Sequence, residues 1–222
     1  MDLSDNQFHD AISEEICQAN RLVFLYLNKN ALTGTIPSCL GNLSKLTELE
    51  VNQHNFHGSI PEELCQASAL EYLYLNKNAL TGTLPSCLGN LSQLTELEIN
   101  QNNFHGPIPE RLCQASALKH LQLNDNALTG SLPACLATNF LFLEAVLLYN
   151  NDFTGTVPSQ WASPSLMSIM LSNNPKLSGS LPTSLFLQQA ASNATQNSII
   201  PTSVLRAVVI EGTLIGGTLP AA

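Results

Sequence analysis

The hydrophobic positions of the chain recur with a period of 24. Stretches of the form xLxxNxL align their asparagines at Asn6, Asn30, Asn78, Asn102, Asn126, Asn151 and Asn174, with His54 filling the slot between Asn30 and Asn78; the spacings are 24, 24, 24, 24, 24, 25 and 23. A glycine follows four residues later, five in the last of these units, from Gly34 to Gly179, and a proline three beyond that, from Pro37 to Pro182. One unit reads LxxLxLxxNxLxGxIPxxLxxL. A fixed period of this length predicts a stack of coils, each burying its apolar side chains against the next. Within a unit, Leu22, Leu25 and Leu27 mark a short strand with leucines inward, and neighbouring strands stack as a parallel sheet. An inward asparagine can donate to and accept from the backbone of adjacent coils at every level, so the asparagine column is structural. On this phase Asn102→Leu is expected to be costly, whereas Asn100, two residues earlier, faces outward and tolerates the same change. The glycine serves the bend that follows, and the proline a place where no amide donor is wanted. Leu40, Leu64, Leu88, Leu112 and Leu136 seal the opposite side, and Trp161 takes that place in the seventh unit as a core residue.

A second period of 48 overlies the first, because residues 22–69 and 70–117 match almost throughout. The repeated object is therefore a pair of coils. The chain reads as a single repeat domain, 1–222, with a partial first coil at 1–21, regular coils over 22–182, an insertion at about 186–203 and a degenerate last coil at 205–220, where Thr213 stands in the asparagine slot. Met1 falls where Leu25 and Leu73 fall in complete units. An uncapped first coil calls for upstream sequence or a partner that covers it.

These units resemble the leucine-rich repeats of the plant-type subclass, whose mark is the LxGxIP segment after the asparagine. The resemblance covers nearly the whole chain. It implies an α/β fold: a right-handed solenoid with a parallel β-sheet of about eight strands on the concave face and short 3₁₀ or α turns on the convex face. It also implies an extracellular or membrane-associated setting, although the opening MDLSDNQF has neither the basic nor the apolar region of a signal peptide.

Composition narrows the partners. Asp and Glu outnumber Lys and Arg by 17 to 8, for a net charge of −9. That balance argues against nucleic acid and anionic membrane surfaces, which reward clustered basic residues. No stretch is long and apolar enough to span a bilayer. Cys17, Cys65 and Cys113 recur every 48 residues, as do Cys39, Cys87 and Cys135. They read as small buried hydrophobes, since a two-residue phase offset makes a bridge such as Cys17–Cys39 marginal. His9, His57 and His105 lie two coils apart, too far for one metal ion. Carboxylates and hydroxyls sit in repeating columns, so neither a catalytic constellation nor a cofactor site is expected. Asn42, Asn90 and Asn193 fit the N-glycosylation pattern.

Function is then sought on the outward positions of the concave strands. Early coils offer the aromatic rungs Phe24, Tyr26, Tyr72 and Tyr74, alternating with Glu48, Glu50, Glu96 and Glu98; later coils turn apolar with Leu147, Met167, Met170 and Val209, plus Tyr149 at the rim. Aromatics and methionines are enriched at protein contacts, and a contiguous apolar patch marks an interface. The expected role is a non-enzymatic scaffold that binds another polypeptide through its concave face, as part of a larger assembly, with docking on the C-terminal half. The resemblance implies an alternative: a receptor-like or enzyme-inhibitor ectodomain reading a peptide or wall-derived ligand.

Overall fold

The computed structural model describes residues 1–138, 142–159, 161, 165–183, 185 and 207–217. Inward leucines need cover on both flanks, and the strands supply it by stacking. They form an eight-stranded parallel sheet in chain order, from Phe24–Tyr26, Glu48–Glu50, Tyr72–Tyr74 and Glu96–Glu98 through His120–Gln122, Ala145–Leu147 and Ser168–Met170 to Ala207–Val209. The register places equivalent residues side by side, so Leu25, Leu49, Leu73, Leu97, Leu121, Val146 and Ile169 make one inward ladder. All seven are essentially inaccessible to solvent. Leu27, Val51, Leu75, Ile99, Leu123, Leu148 and Leu171 form a second buried ladder. Trp161 is buried and its Nε1 donates to the Pro133 carbonyl.

The asparagine column behaves as its chemistry requires. Asn102 Nδ2 donates to the carbonyls of Leu75 and Ile99, each at 3.0 Å, and its Oδ1 accepts from the Leu80 N–H at 3.0 Å. One side chain thus ties two adjacent coils at the corner where the strand ladder ends. Asn30, Asn78, Asn126, Asn151 and Asn174 repeat the pattern. In the one slot that carries histidine, His54 Nδ1 lies 2.9 Å from the Asn30 carbonyl and Nε2 2.8 Å from that of Leu27. Neutral imidazole has a single N–H, so it can donate to only one of these carbonyls where the amide donates to two, and it has no oxygen to accept with. Burial lowers the His54 pKa and outweighs the two carbonyls, which favour the protonated ring.

Asn100 departs from expectation. It lies on the concave phase, but it is buried rather than exposed, and its Oδ1 has no hydrogen-bond partner. Neighbouring rungs crowd the end of the strand, so outward does not mean solvated there. The contrast with Asn102 becomes sharper. Asn102→Leu removes bonded donors and strands buried carbonyls, and should cost about 1–3 kcal/mol. Asn100→Leu removes an acceptor that bonds nothing and should be close to neutral. Urea titration of the two variants measures both, and equal losses would show that the column is not the polar brace it looks like.

Beyond the column the chain forms a second sheet, which the sequence reading treated as a bend. His9–Ala11, Ala31–Gly34, Asn55–Gly58, Ala79–Gly82, Asn103–Gly106 and Ala127–Leu128 stack as six parallel strands; Thr154–Thr156, Lys176–Gly179 and Leu214–Ile215 stack as three. Each strand of the six-stranded sheet after the first buries one residue, Leu32, Phe56, Leu80, Phe104 or Leu128. Gly34 at φ +83° and Gly82 at φ +86° then turn the chain through the left-handed region that residues with a Cβ avoid.

On the convex side run short 3₁₀ turns, Glu14–Gln18, Ser38–Asn42, Glu62–Gln66, Ser86–Asn90 and Glu110–Gln114, and one α turn, Cys135–Thr138. Pro37, Pro61, Pro85 and Pro109 precede the second to fifth of these, and each offers its carbonyl to the leucine three residues on. The cysteines correct the expectation. They are not free buried hydrophobes: Cys17–Cys39, Cys65–Cys87 and Cys113–Cys135 are disulfides with Cα atoms 5.8 Å apart. The phase offset that seemed to prevent pairing is what permits it, because the end of one turn lies across the seam from the start of the next. The two seams that lie between these bridges use the same slots differently. Gly41 stands where Cys17 and Cys65 stand, one coil on, and a Cβ added there would lie 1.8 Å from the Glu63 carbonyl oxygen. Gly89 meets Arg111 O in the same way, also at 1.8 Å. Convex seams therefore alternate between a disulfide and a glycine.

Candidate functional site

Strand alternation and the 24-residue register arrange the outward side chains of the concave sheet in columns. The first runs Phe24, Glu48, Tyr72, Glu96, His120, Ala145, Ser168, Ala207; the second runs Tyr26, Glu50, Tyr74, Glu98, Gln122, Leu147, Met170, Val209. Alternation along each coil sets Asn28, Asn52, Asn76, Asn100 and Asn124 beside them at the strand ends. Nine residues were singled out from the sequence. The structure puts Phe24, Tyr26, Tyr72, Tyr74, Leu147, Met170 and Val209 in the first two columns. Tyr149 follows Asn124 at the strand ends, half-buried, and Met167 sits one residue before its strand, its N–H bonded to the Glu144 carbonyl.

The N-terminal half is an organised polar surface. Phe24 stacks on Tyr26 with ring centroids 5.1 Å apart, and Tyr72 tilts against Tyr74 at 6.3 Å. The Tyr26 hydroxyl donates to the Glu48 carboxylate and the Tyr74 hydroxyl to Glu96 at 2.6 Å, across adjacent strands. These bonds make the phenols poor acids: that to Glu48, with burial, pushes Tyr26 up to about 12, and burial with the Glu96 bond raises Tyr74. Gln122 Nε2 donates to Glu98 Oε1 at 2.7 Å. His120 lies between two carboxylates, with Nδ1 3.3 Å from Glu96 and Nε2 3.5 Å from Glu144. Burial first, and the neighbouring Glu48 charge second, raise the Glu50 pKa; burial and Glu96 do the same to Glu98. Carboxyl groups held in this costly way cluster at functional surfaces more than elsewhere.

The C-terminal half is apolar. Leu147, Met170 and Val209 continue one column in register behind Gln122, and Val209 is 40% exposed. The insertion expected at 186–203 lies outside the described residues. Among the described residues, no group of three or more His, Cys, Asp or Glu is placed to hold a metal ion, and no helix is long and apolar enough to cross a membrane. Asn42 and Asn90 are exposed at the ends of convex turns, away from this face; Asn193 falls outside the described residues.

Sequence reasoning missed two features. The asparagines at strand ends recur every 24 residues and were visible, yet the structural column two residues later drew the attention. The Tyr–Glu bonds had a weaker signal, the alternation of aromatic and acidic rungs, which reads equally well as copied surface.

The family model for the Leucine Rich Repeat matches residues 21–43, 69–91, 93–115 and 117–139. Among solved structures, the chain resembles the LRR ectodomain of the plant membrane receptor kinase GASSHO1/SCHENGEN3 from Arabidopsis thaliana, in complex with CASPARIAN STRIP INTEGRITY FACTOR 2. The TM-score is 0.88 at 32% identity, over 99% of this chain and 25% of that one. A TDR receptor matches with TM-score 0.88 at 28% identity, over 99% of this chain and 35% of that one. The plant peptide hormone receptor RGFR1, in complex with RGF2, matches with TM-score 0.80 at 35% identity, over 82% and 29%. This chain spans about a quarter to a third of the length of these structures. No curated protein matches it. With the repeat matched in four units, and the strand ladder, asparagine column and convex turns in the places that repeat requires, the chain is a leucine-rich repeat protein.

Proposed function

We propose that this chain is a non-enzymatic protein-binding module that docks an extended polypeptide on its concave sheet, within a larger assembly. One observation carries the reading: the outward columns are in register over eight strands and change from aromatic and acidic to apolar along the stack, so the face offers a graded surface several rungs long. Leu147, Tyr149, Met167, Met170 and Val209 form the main docking patch, and Phe24, Tyr26, Tyr72 and Tyr74 contact the other end of the partner. The peptide complexes of the structural neighbours support this, as does the density of aromatic and methionine side chains.

A second reading refines the first. Three disulfides in a chain of this size favour an oxidising compartment. With the LxGxIP signature and receptor ectodomains as neighbours, this supports an extracellular, plant-type ectodomain as the parent of the module.

The test is affinity capture with mass spectrometry, comparing wild type with Leu147→Asp/Met170→Asp and with Tyr26→Asp/Tyr74→Asp at matched thermal stability. Polypeptides captured by wild type should be lost from the first variant. Retention by that variant, with loss from the second, would move the main docking patch to the aromatic rungs.

A further inference from the structure

The half of the concave face before His120 is built from hydrogen-bond acceptors and ring faces. Its carboxylates come in pairs, Glu48 with Glu50 and Glu96 with Glu98, on strands separated by the one that carries Tyr72 and Tyr74. The hydroxyls of Tyr26 and Tyr74 are committed to Glu48 and Glu96. Among the described residues no ion pair reaches Glu50 or Glu98. Beside the pairs, on the same strand phase, the side-chain carbonyls of Asn76 and Asn100 have no hydrogen-bond partner, and both residues are more than nine-tenths buried. A ligand complementary to such a face brings donors and no acceptors. Among side chains, that describes lysine and arginine. Aromatic faces next to carboxylates add cation–π attraction to the ion pair.

We propose that this half of the face holds a basic, extended segment of the partner polypeptide, with one arginine or lysine seated on each glutamate pair. The proposal rests on the concave-docking reading and gives that partner a chemistry. Geometry adds a spacing. The pairs lie two coils apart, about 10 Å at ordinary strand separation. A polyproline II segment rises about 3.1 Å per residue with three residues per turn. Basic residues three apart on such a segment meet both pairs from one side. A cation seated there would also offset, by favouring the charged form, the burial and the neighbouring Glu48 and Glu96 charges that hold Glu50 and Glu98 above the usual carboxylate range. The chain's net charge of −9 steers a cationic segment toward the face.

The probe is a fluorescein-labelled proline-rich peptide of nine residues with arginine at the third and sixth positions, titrated by anisotropy at low ionic strength. It should bind wild type saturably, weaken as salt is added, and bind Glu50→Gln/Glu98→Gln about tenfold less tightly or worse. Glu62→Gln/Glu110→Gln, which removes as many charges from exposed positions on the convex turns, should bind it as wild type does, and a peptide with glutamates in place of the arginines should not bind. The glutamine variant should melt no lower than wild type, since it removes charges that folding has to desolvate, so a weaker grip is not a folding defect. Equal affinity in the glutamine variant, or binding of the glutamate peptide, overturns the proposal. So does failure of wild type to bind the arginine peptide, while leaving concave docking to the capture experiment, which reads the apolar patch.

Discussion

Gly89→Ala is expected to destabilise the protein by about 4 kcal/mol or more, in the range reserved for core or backbone clashes. The added methyl would sit 1.8 Å from the Arg111 carbonyl oxygen and 2.5 Å from its carbon. Both belong to the backbone of the next convex turn, so no side-chain rotation relieves the contact. The turns must separate, and separation opens the seam over Leu88 and Leu112, which are fully buried beneath it. Alanine otherwise favours folded backbone over glycine by up to about 1 kcal/mol, which makes the sign a strict test. Gly216→Ala is the control, because a Cβ there meets nothing within 4 Å. Denaturant midpoints should fall steeply for Gly89→Ala and hardly move for Gly216→Ala. A small loss at Gly89 would mean that the convex turns slide freely and that the alternation of seams is incidental.

That alternation shows what the sequence could and could not disclose. Leucine ladders and the asparagine column are legible because one residue type answers one demand in every coil: burial in one case, paired donor and acceptor in the other. The convex seam defeats such reading because two residue types answer one demand in turn. Slots 17, 41, 65, 89 and 113 hold Cys, Gly, Cys, Gly, Cys. At the facing slots 39, 63, 87, 111 and 135 stand Cys, Glu, Cys, Arg, Cys. Read down one coil, the glycines merely stand before a glycosylation motif and the cysteines read as core. Read across coils, with the facing position always 22 residues on, each pair is a seam closed either by a bond or by the absence of a side chain. The second sheet was hidden for a different reason, since each of its strands buries at most one residue and leaves little periodicity to detect. On the concave face the residue types were legible; their hydrogen bonding was not, because Tyr26 reaches Glu48 and Tyr74 reaches Glu96 only through stacking.

Cys65→Ala/Cys87→Ala should cost about 3 kcal/mol, less than the glycine substitution and by a different route. The bridge closes a loop between residues 22 apart and mainly restricts the unfolded chain. Its removal should leave the native near-ultraviolet spectrum unchanged, lower the denaturant midpoint and raise the m-value, because a chain freed of the cross-link exposes more surface on unfolding. Solenoid coils contact only their neighbours, so the loss should also be local. Hydrogen exchange should accelerate in the amides of Glu62–Gln66 and Ser86–Asn90, the two turns the bridge joins, while Glu14–Gln18 and Ser38–Asn42, still joined by Cys17–Cys39, keep more of their protection. Gly89→Ala, by contrast, strains the native seam itself and should loosen Ser86–Asn90 and Glu110–Gln114 together. If exchange in the double-alanine variant rises uniformly from end to end, the stack unfolds as one cooperative body, and the disulfide-closed pair of coils is a unit of repetition in the sequence without being a unit of stability in the fold.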